Sequence, residues 1–243
     1  MLRFAFLLLI LLAGCGEITQ PPPAPAPVTI IAGLDKTLSA DSSRVPALGW
    51  DDIAGLIDVI RRAGGELALG CITSRSGGLV RLRVEPPPFP PMPPPPGEGT
   101  IYERRAAEER YESALRLHKQ KQSQWEAEVA LKMARFREEA MPLLCERRSH
   151  DRTDVHGFLR RALLMAREPD AQGYRNLVYL LLATDGLHDA DATPLPAMDG
   201  GVEVLVVNGA GELGTLAALD PLRFENFDAA LRHILNPYQA VTQ

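Results

Sequence analysis

Val28 to Ser39 reads VTIIAGLDKTLS, and its two halves differ in character. Val28 to Leu34 is a short, apolar, β-branched run, the pattern of a strand buried on both faces. Asp35-Lys36-Thr37-Leu38-Ser39 then places a carboxylate and two hydroxyls at alternate positions directly after the strand. A strand buried on both faces belongs to a parallel sheet between helical layers, so the flanking sequence should supply alternating strands and helices.

It does. Asp51 to Ala63 carries Ile53, Leu56, Ile57 and Ile60 at helical spacing, with an acidic first turn and Gly64-Gly65 to stop it. Glu66 to Thr73 and Leu79 to Val84 read as a hairpin, the second strand more polar and suited to a sheet edge. A helix is expected in Val155 to Arg167, strands in Leu177 to Ala183 and Val202 to Val207, and a terminal helix in Asn226 to Leu235. Short elements are expected near Leu213 to Ala218 and Leu222 to Phe224. The fold class is α/β: a doubly wound, mostly parallel, Rossmann-like sheet interrupted by a proline-rich and long-helix insert. Ligands in such sheets bind at the carboxyl ends of strands, near a topological switch point. That singles out the loops beginning at Asp35 and at Thr184-Asp185-Gly186, and the helix start at Asp151-Arg152-Thr153-Asp154.

The net charge of −5 argues against a surface that binds by neutralising nucleic-acid phosphates, so no nucleic-acid partner is expected. Of 21 prolines, 14 fall in two tracts, Pro21 to Pro27 and Pro86 to Pro96, which divide the chain. Before the first tract, Arg3 precedes an apolar run, Phe4 to Leu12, of signal-peptide length and too short to span a bilayer. The run ends in Leu12-Ala13-Gly14-Cys15, which resembles the lipobox of bacterial lipoproteins. The resemblance implies cleavage before Cys15, lipidation of its thiol, and a protein held in the cell envelope by that anchor. Gly16 in place of Asp then favours the outer membrane, at its periplasmic face. Cys71 and Cys145 remain in an oxidising compartment, either as a disulfide or as two separate thiols.

The second tract opens the insert. Pro86 to Pro96 should be polyproline II, reaching about 34 Å. Ile101 to Met141 has no Gly or Pro and reads as one helix of about 60 Å, stopped at Pro142. Tyr111, Leu115, Trp125, Val129, Phe136 and Ala140 form a narrow stripe that His118 and Gln122 interrupt. Three arrangements suit it: the proline tract folded back along the stripe, a partner helix in a coiled coil, or a solvated single helix.

The strand-end motifs resemble those of von Willebrand factor A domains, whose metal-ion-dependent adhesion site uses Asp-x-Ser-x-Ser after the first strand. Such domains add a Thr before a later helix and an Asp, often followed by Gly, after the fourth strand. Asp35, Thr37 and Ser39 match the first element with Thr replacing the first Ser; Thr153 matches the second, and Asp185 with Gly186 the third. The resemblance implies that these five residues bind Mg²⁺ or Mn²⁺, with an open position for an acidic residue of a protein partner. Hydroxyls plus few carboxylates form an oxygen-only set suited to such hard cations.

Each motif has a plain alternative. Asp35, Thr37 and Ser39 also suit a turn with side-chain to backbone bonds, and Thr153 a helix cap. Asp35-Lys36-Thr37 with Asp185 and Asp189 also resembles haloacid-dehalogenase-like phosphotransferases. Those enzymes need a Lys or Arg between the acidic motifs, yet the last lysine is Lys132, so Arg160 or Arg161 would have to serve. His150, His156 and His188 lie near the strand ends without a recognised zinc spacing and read as loop histidines.

The expected organisation is therefore a signal peptide at 1–14, a lipidated tether at 15–27 and a first domain segment at 28–85. An insert at 86–145 and a second domain segment at 146–243 follow. The expected function is non-enzymatic protein binding, with a metal-free structural envelope lipoprotein as the alternative.

Overall fold

The computed structural model describes residues 26–42, 45–74, 77–88, 95–97, 100–168, 177–189, 195, 197, 201–208 and 213–239. The expected signal peptide and Cys15 lie outside them, as do 21–25 and 89–94 of the two proline tracts.

The sheet is built from β1 (Val28–Asp35), β2 (Gly65–Ile72), β3 (Val80–Val84), β4 (Leu177–Ala183), β5 (Val202–Val207) and β6 (Leu222–Phe224). Their order is β3-β2-β1-β4-β5-β6, and all pairings are parallel except β2 with β3. The polar strand of the expected hairpin is thus the antiparallel edge. Helices α1 (Leu38–Ser42), α2 (Trp50–Ala63), α3 (Ile101–Cys145), α4 (Val155–Ala166) and α5 (Phe227–Gln239) complete the chain, with a 3₁₀ turn at Gly214–Leu219. The α/β class with a mostly parallel sheet is as expected; α1 is an addition, because five residues carry too little periodicity to be seen in sequence.

Side chains alternate across each central strand. Ile30, Ala32 and Leu34 of β1 face a layer of α2, α3 and α5, together with Tyr179 and Leu181 of β4. Ile31 of β1, with Val178, Leu180 and Leu182 of β4, faces α4. Every residue of β1 is buried, which explains its largely apolar sequence, Thr29 and the terminal Asp35 excepted.

On the α4 side, Gly33 and Gly70 pair directly across β1 and β2. A Cβ on Gly33 would meet the Phe158 ring at 2.6 Å, and one on Gly70 would meet it at 3.0 Å. The two glycines therefore form a slot in which Phe158 lies against the sheet backbone, and this close approach sets the height of the α4 N-terminus above the strand ends.

The long helix differs from expectation at its end. It continues through Pro142 to Cys145. A proline removes one backbone donor, and this one sits in the last turn, where Glu146 N still donates to Pro142 O at 3.0 Å. The terminal helix likewise passes Pro237 to end at Gln239. At the other end of α3, Thr100 and Glu103 form a reciprocal cap: Glu103 N donates to Thr100 Oγ1, and Thr100 N to Glu103 Oε2.

Val129, Phe136 and Ala140 pack α3 into the core. Upstream, Ala107, Tyr111, Leu115, His118, Gln122 and Trp125 are half-buried while their neighbours are exposed. Spacings of four and three continue the stripe, so this is the less exposed face of the helix. Trp125 Nε1 donates to Glu85 O at 3.2 Å, and Pro86, Pro87 and Pro96 are themselves half-buried. From the level of Trp125 back to Ile101 is about 36 Å of helix. Fifteen residues separate Glu85 from Thr100, a reach of about 46 Å if extended, so chain length allows the folded-back arrangement, much of whose proline tract lies outside the described residues.

An apolar cavity of about 830 Å³ opens between α2 and α3, lined by Trp50, Ile57, Val129, Met133 and Met141. Among the described residues no helix is long and apolar enough to cross a membrane.

Candidate functional site

β1 and β4 are neighbours from which the chain winds to opposite sides, so their carboxyl ends form the topological switch point. Asp35 ends β1, and Thr184-Asp185 follows β4.

Asp35 is only 2% exposed and is held by hydroxyls and a backbone amide. Its Oδ1 accepts from Thr37 N (3.0 Å) and Thr37 Oγ1 (2.6 Å), and its Oδ2 accepts from Thr184 Oγ1 (2.6 Å). Thr37 Oγ1 lies 3.0 Å from Ser39 Oγ. Asp35, Thr37 and Ser39 thus share one cluster of oxygens. Thr184 joins it unannounced: a hydroxyl directly before the Asp-Gly pair was the available signal. Burial pushes the Asp35 pKa up; the Thr184 and Thr37 hydrogen bonds oppose that, and the nearby charge of Asp185 adds to it.

Asp185 is also buried, and its Oδ1 accepts from Leu187 N at 3.0 Å. Gly186 has φ of +73°, and a Cβ there would lie 1.9 Å from Leu213 O. Only glycine meets both demands, which explains the Asp-Gly pair.

Thr153 joins this end of the sheet through two neighbours. Thr153 N donates to the Asp189 carboxylate, Asp189 N donates to Thr153 O (3.3 Å), and Asp154 N donates to Thr73 O (2.9 Å) just beyond β2. The cap of α4 is Asp154, whose Oδ1 accepts from Gly157 N, so capping is not the role of Thr153.

The histidines divide. His156 and His188 stack with ring centroids 3.7 Å apart, whereas His150 approaches Glu146 (Nε2 to Oε1, 3.4 Å). Burial, and then His156, lowers the His188 pKa. Among the described residues no group of three or more His, Cys, Asp or Glu side chains forms a metal-ligand cluster. The hydroxyls of Thr37, Ser39 and Thr153 are neutral oxygen donors of a different kind. Two buried carboxylates with neutral hydroxyls fit a hard cation, which would offset the Asp35–Asp185 repulsion.

Cys71 and Cys145 are separate thiols, the first buried and the second exposed. Burial and the neighbouring Glu146 carboxylate push the Cys71 pKa up to about 12.

No family model and no curated protein matches the sequence. Among solved structures, proximal thread matrix protein 1 from the mussel byssus is similar at 13% identity, over 88% of this chain and 47% of that chain, with a TM-score of 0.39. The chain spans about half the length of that protein, and at this score the likeness assigns no fold.

Proposed function

We propose that this chain is a lipid-anchored envelope module built like a von Willebrand factor A domain, and that it binds a protein partner through a divalent cation. Mg²⁺ or Mn²⁺ would be held by Asp35, Thr37, Ser39, Thr153 and Asp185, leaving a position for an acidic side chain of the partner. The observation that carries this reading is the buried oxygen cluster at the β1–β4 switch point, where Asp35 is met by hydroxyls instead of a basic side chain. With only two carboxylates supplied by the chain, the cation stays electron-poor and attracts a third from outside.

The test is capture from a detergent extract of the envelope. A partner retained in Mn²⁺, released by chelation, and lost with Asp35→Asn supports the reading. A partner retained under chelation supports the metal-free scaffold instead. That second reading has its own support: both oxygens of Asp35 already accept hydrogen bonds within the chain. The phosphotransferase reading has less, because Asp35 is met by Thr37 and Thr184, while Arg160 and Arg161 line a different pocket on α4 with Asp154 and Leu164.

The anchor has a separate test. Mass spectrometry of the mature protein should find an N-terminus at Cys15 carrying acyl chains, and Cys15→Ala should leave the detergent phase. An unmodified terminus at another residue rules the anchor out.

A further inference from the structure

Lys36 stands between Asp35 and Thr37 in sequence, yet its side chain leaves their cluster. It is 7% exposed, and its Nζ donates to Leu144 O (3.2 Å) and Glu146 O (2.8 Å) at the end of α3. The last carbonyls of a helix lack partners and carry the negative end of its dipole, so an ammonium there satisfies both demands. The Lys36 backbone is tied to the same segment: its carbonyl accepts from Ser149 N (3.0 Å) and His150 N (3.2 Å). Leu38 N donates to His150 O (2.9 Å), and Thr37 forms a parallel bridge with His150. Arg148 adds a second grip, its guanidinium donating to Ala40 O (3.1 Å) and Val45 O (2.6 Å) around α1. Residues 144–150 are therefore tied by hydrogen bonds to the described residues of the loop, 35–42 and Val45.

We propose that α3 controls the cation site: Lys36 and Arg148 transmit the position of the helix end to the Asp35–Thr37–Ser39 loop, linking cation affinity to what happens along the insert. This rests on the metal-site reading above. The grip holds the loop with its three oxygens gathered, so releasing the helix end weakens binding. Linkage makes the effect reciprocal, and a cation at the loop steadies the end of α3.

Lys36→Met keeps the buried stem and removes the ammonium; Arg148→Met cuts the second grip in case the first variant folds poorly. Mn²⁺ binding is followed by electron paramagnetic resonance, and hydrogen exchange at the Ser149 and His150 amides is followed with and without Mn²⁺. In the wild type, Mn²⁺ should slow exchange at both amides. At least one variant with native circular dichroism should bind Mn²⁺ about fivefold or more weakly, the lower end of typical coupling, and lose that slowing. If the folded variants bind Mn²⁺ like wild type and keep the slowing, the grip is structural only and the proposal falls. If the wild type binds no Mn²⁺, the metal-site reading itself has failed, and this proposal with it.

Discussion

Saturating Mn²⁺ should raise the melting temperature of the wild type and leave Asp35→Asn unmoved. A cation that binds only the folded chain at a hundred times its dissociation constant adds about 2.7 kcal/mol, or about 5–10 °C for a domain of this size. Without metal the order reverses. Burial raises the Asp35 pKa, so the folded chain holds that proton more tightly than the unfolded chain does. The charged carboxylate therefore costs stability at neutral pH, and the metal-free wild type should gain stability as pH falls through the raised folded value. Asp35→Asn removes that cost, and at neutral pH it should melt at or above the metal-free wild type. Because protons compete with the cation, the Mn²⁺ shift should shrink on acidification. A wild type that shows no shift in millimolar Mn²⁺ sinks the metal reading.

Phe136→Ala should cost about 3–5 kcal/mol, and Leu117→Ala less than about 0.5. The two residues lie on the same helix in opposite circumstances: Phe136 is 2% exposed among core residues of the sheet layer, while Leu117 is 53% exposed. Thermal unfolding of both variants measures how far the insert has become part of the domain. A small loss for Phe136→Ala means that α3 is an appendage the sheet does not need.

What the sequence disclosed follows from how each element meets solvent. β1 and β4 were legible because strands covered on both faces read as nearly continuous apolar runs, and α2 because one exposed face leaves a 3.6-residue period. The end of α3 was hidden because Pro142 is forbidden only in a helix interior, and it sits in a last turn steadied by Lys36 from far along the chain. The Gly33–Gly70 slot was hidden because its reason, the Phe158 ring, lies on another element. At the site, Asp35, Thr37 and Ser39 are neighbours in sequence, and spacing alone exposed them. Thr184 reaches Asp35 across 149 residues, and only the pairing of β1 with β4 brings them together.

Helix α3 also has a mechanical consequence. Its 45 residues make a rod of about 68 Å. Slightly less than half, from Trp125 to Cys145, includes the three residues buried in the domain. Tension along the axis loads Val129, Phe136 and Ala140 together in shear. A sideways push at Ile101 instead acts through an arm longer than the seated length, so the torque must be resisted over a shorter span. The rod is accordingly stiff to pulling and compliant to bending, and bending delivers its largest leverage to the grip of Lys36 and Arg148.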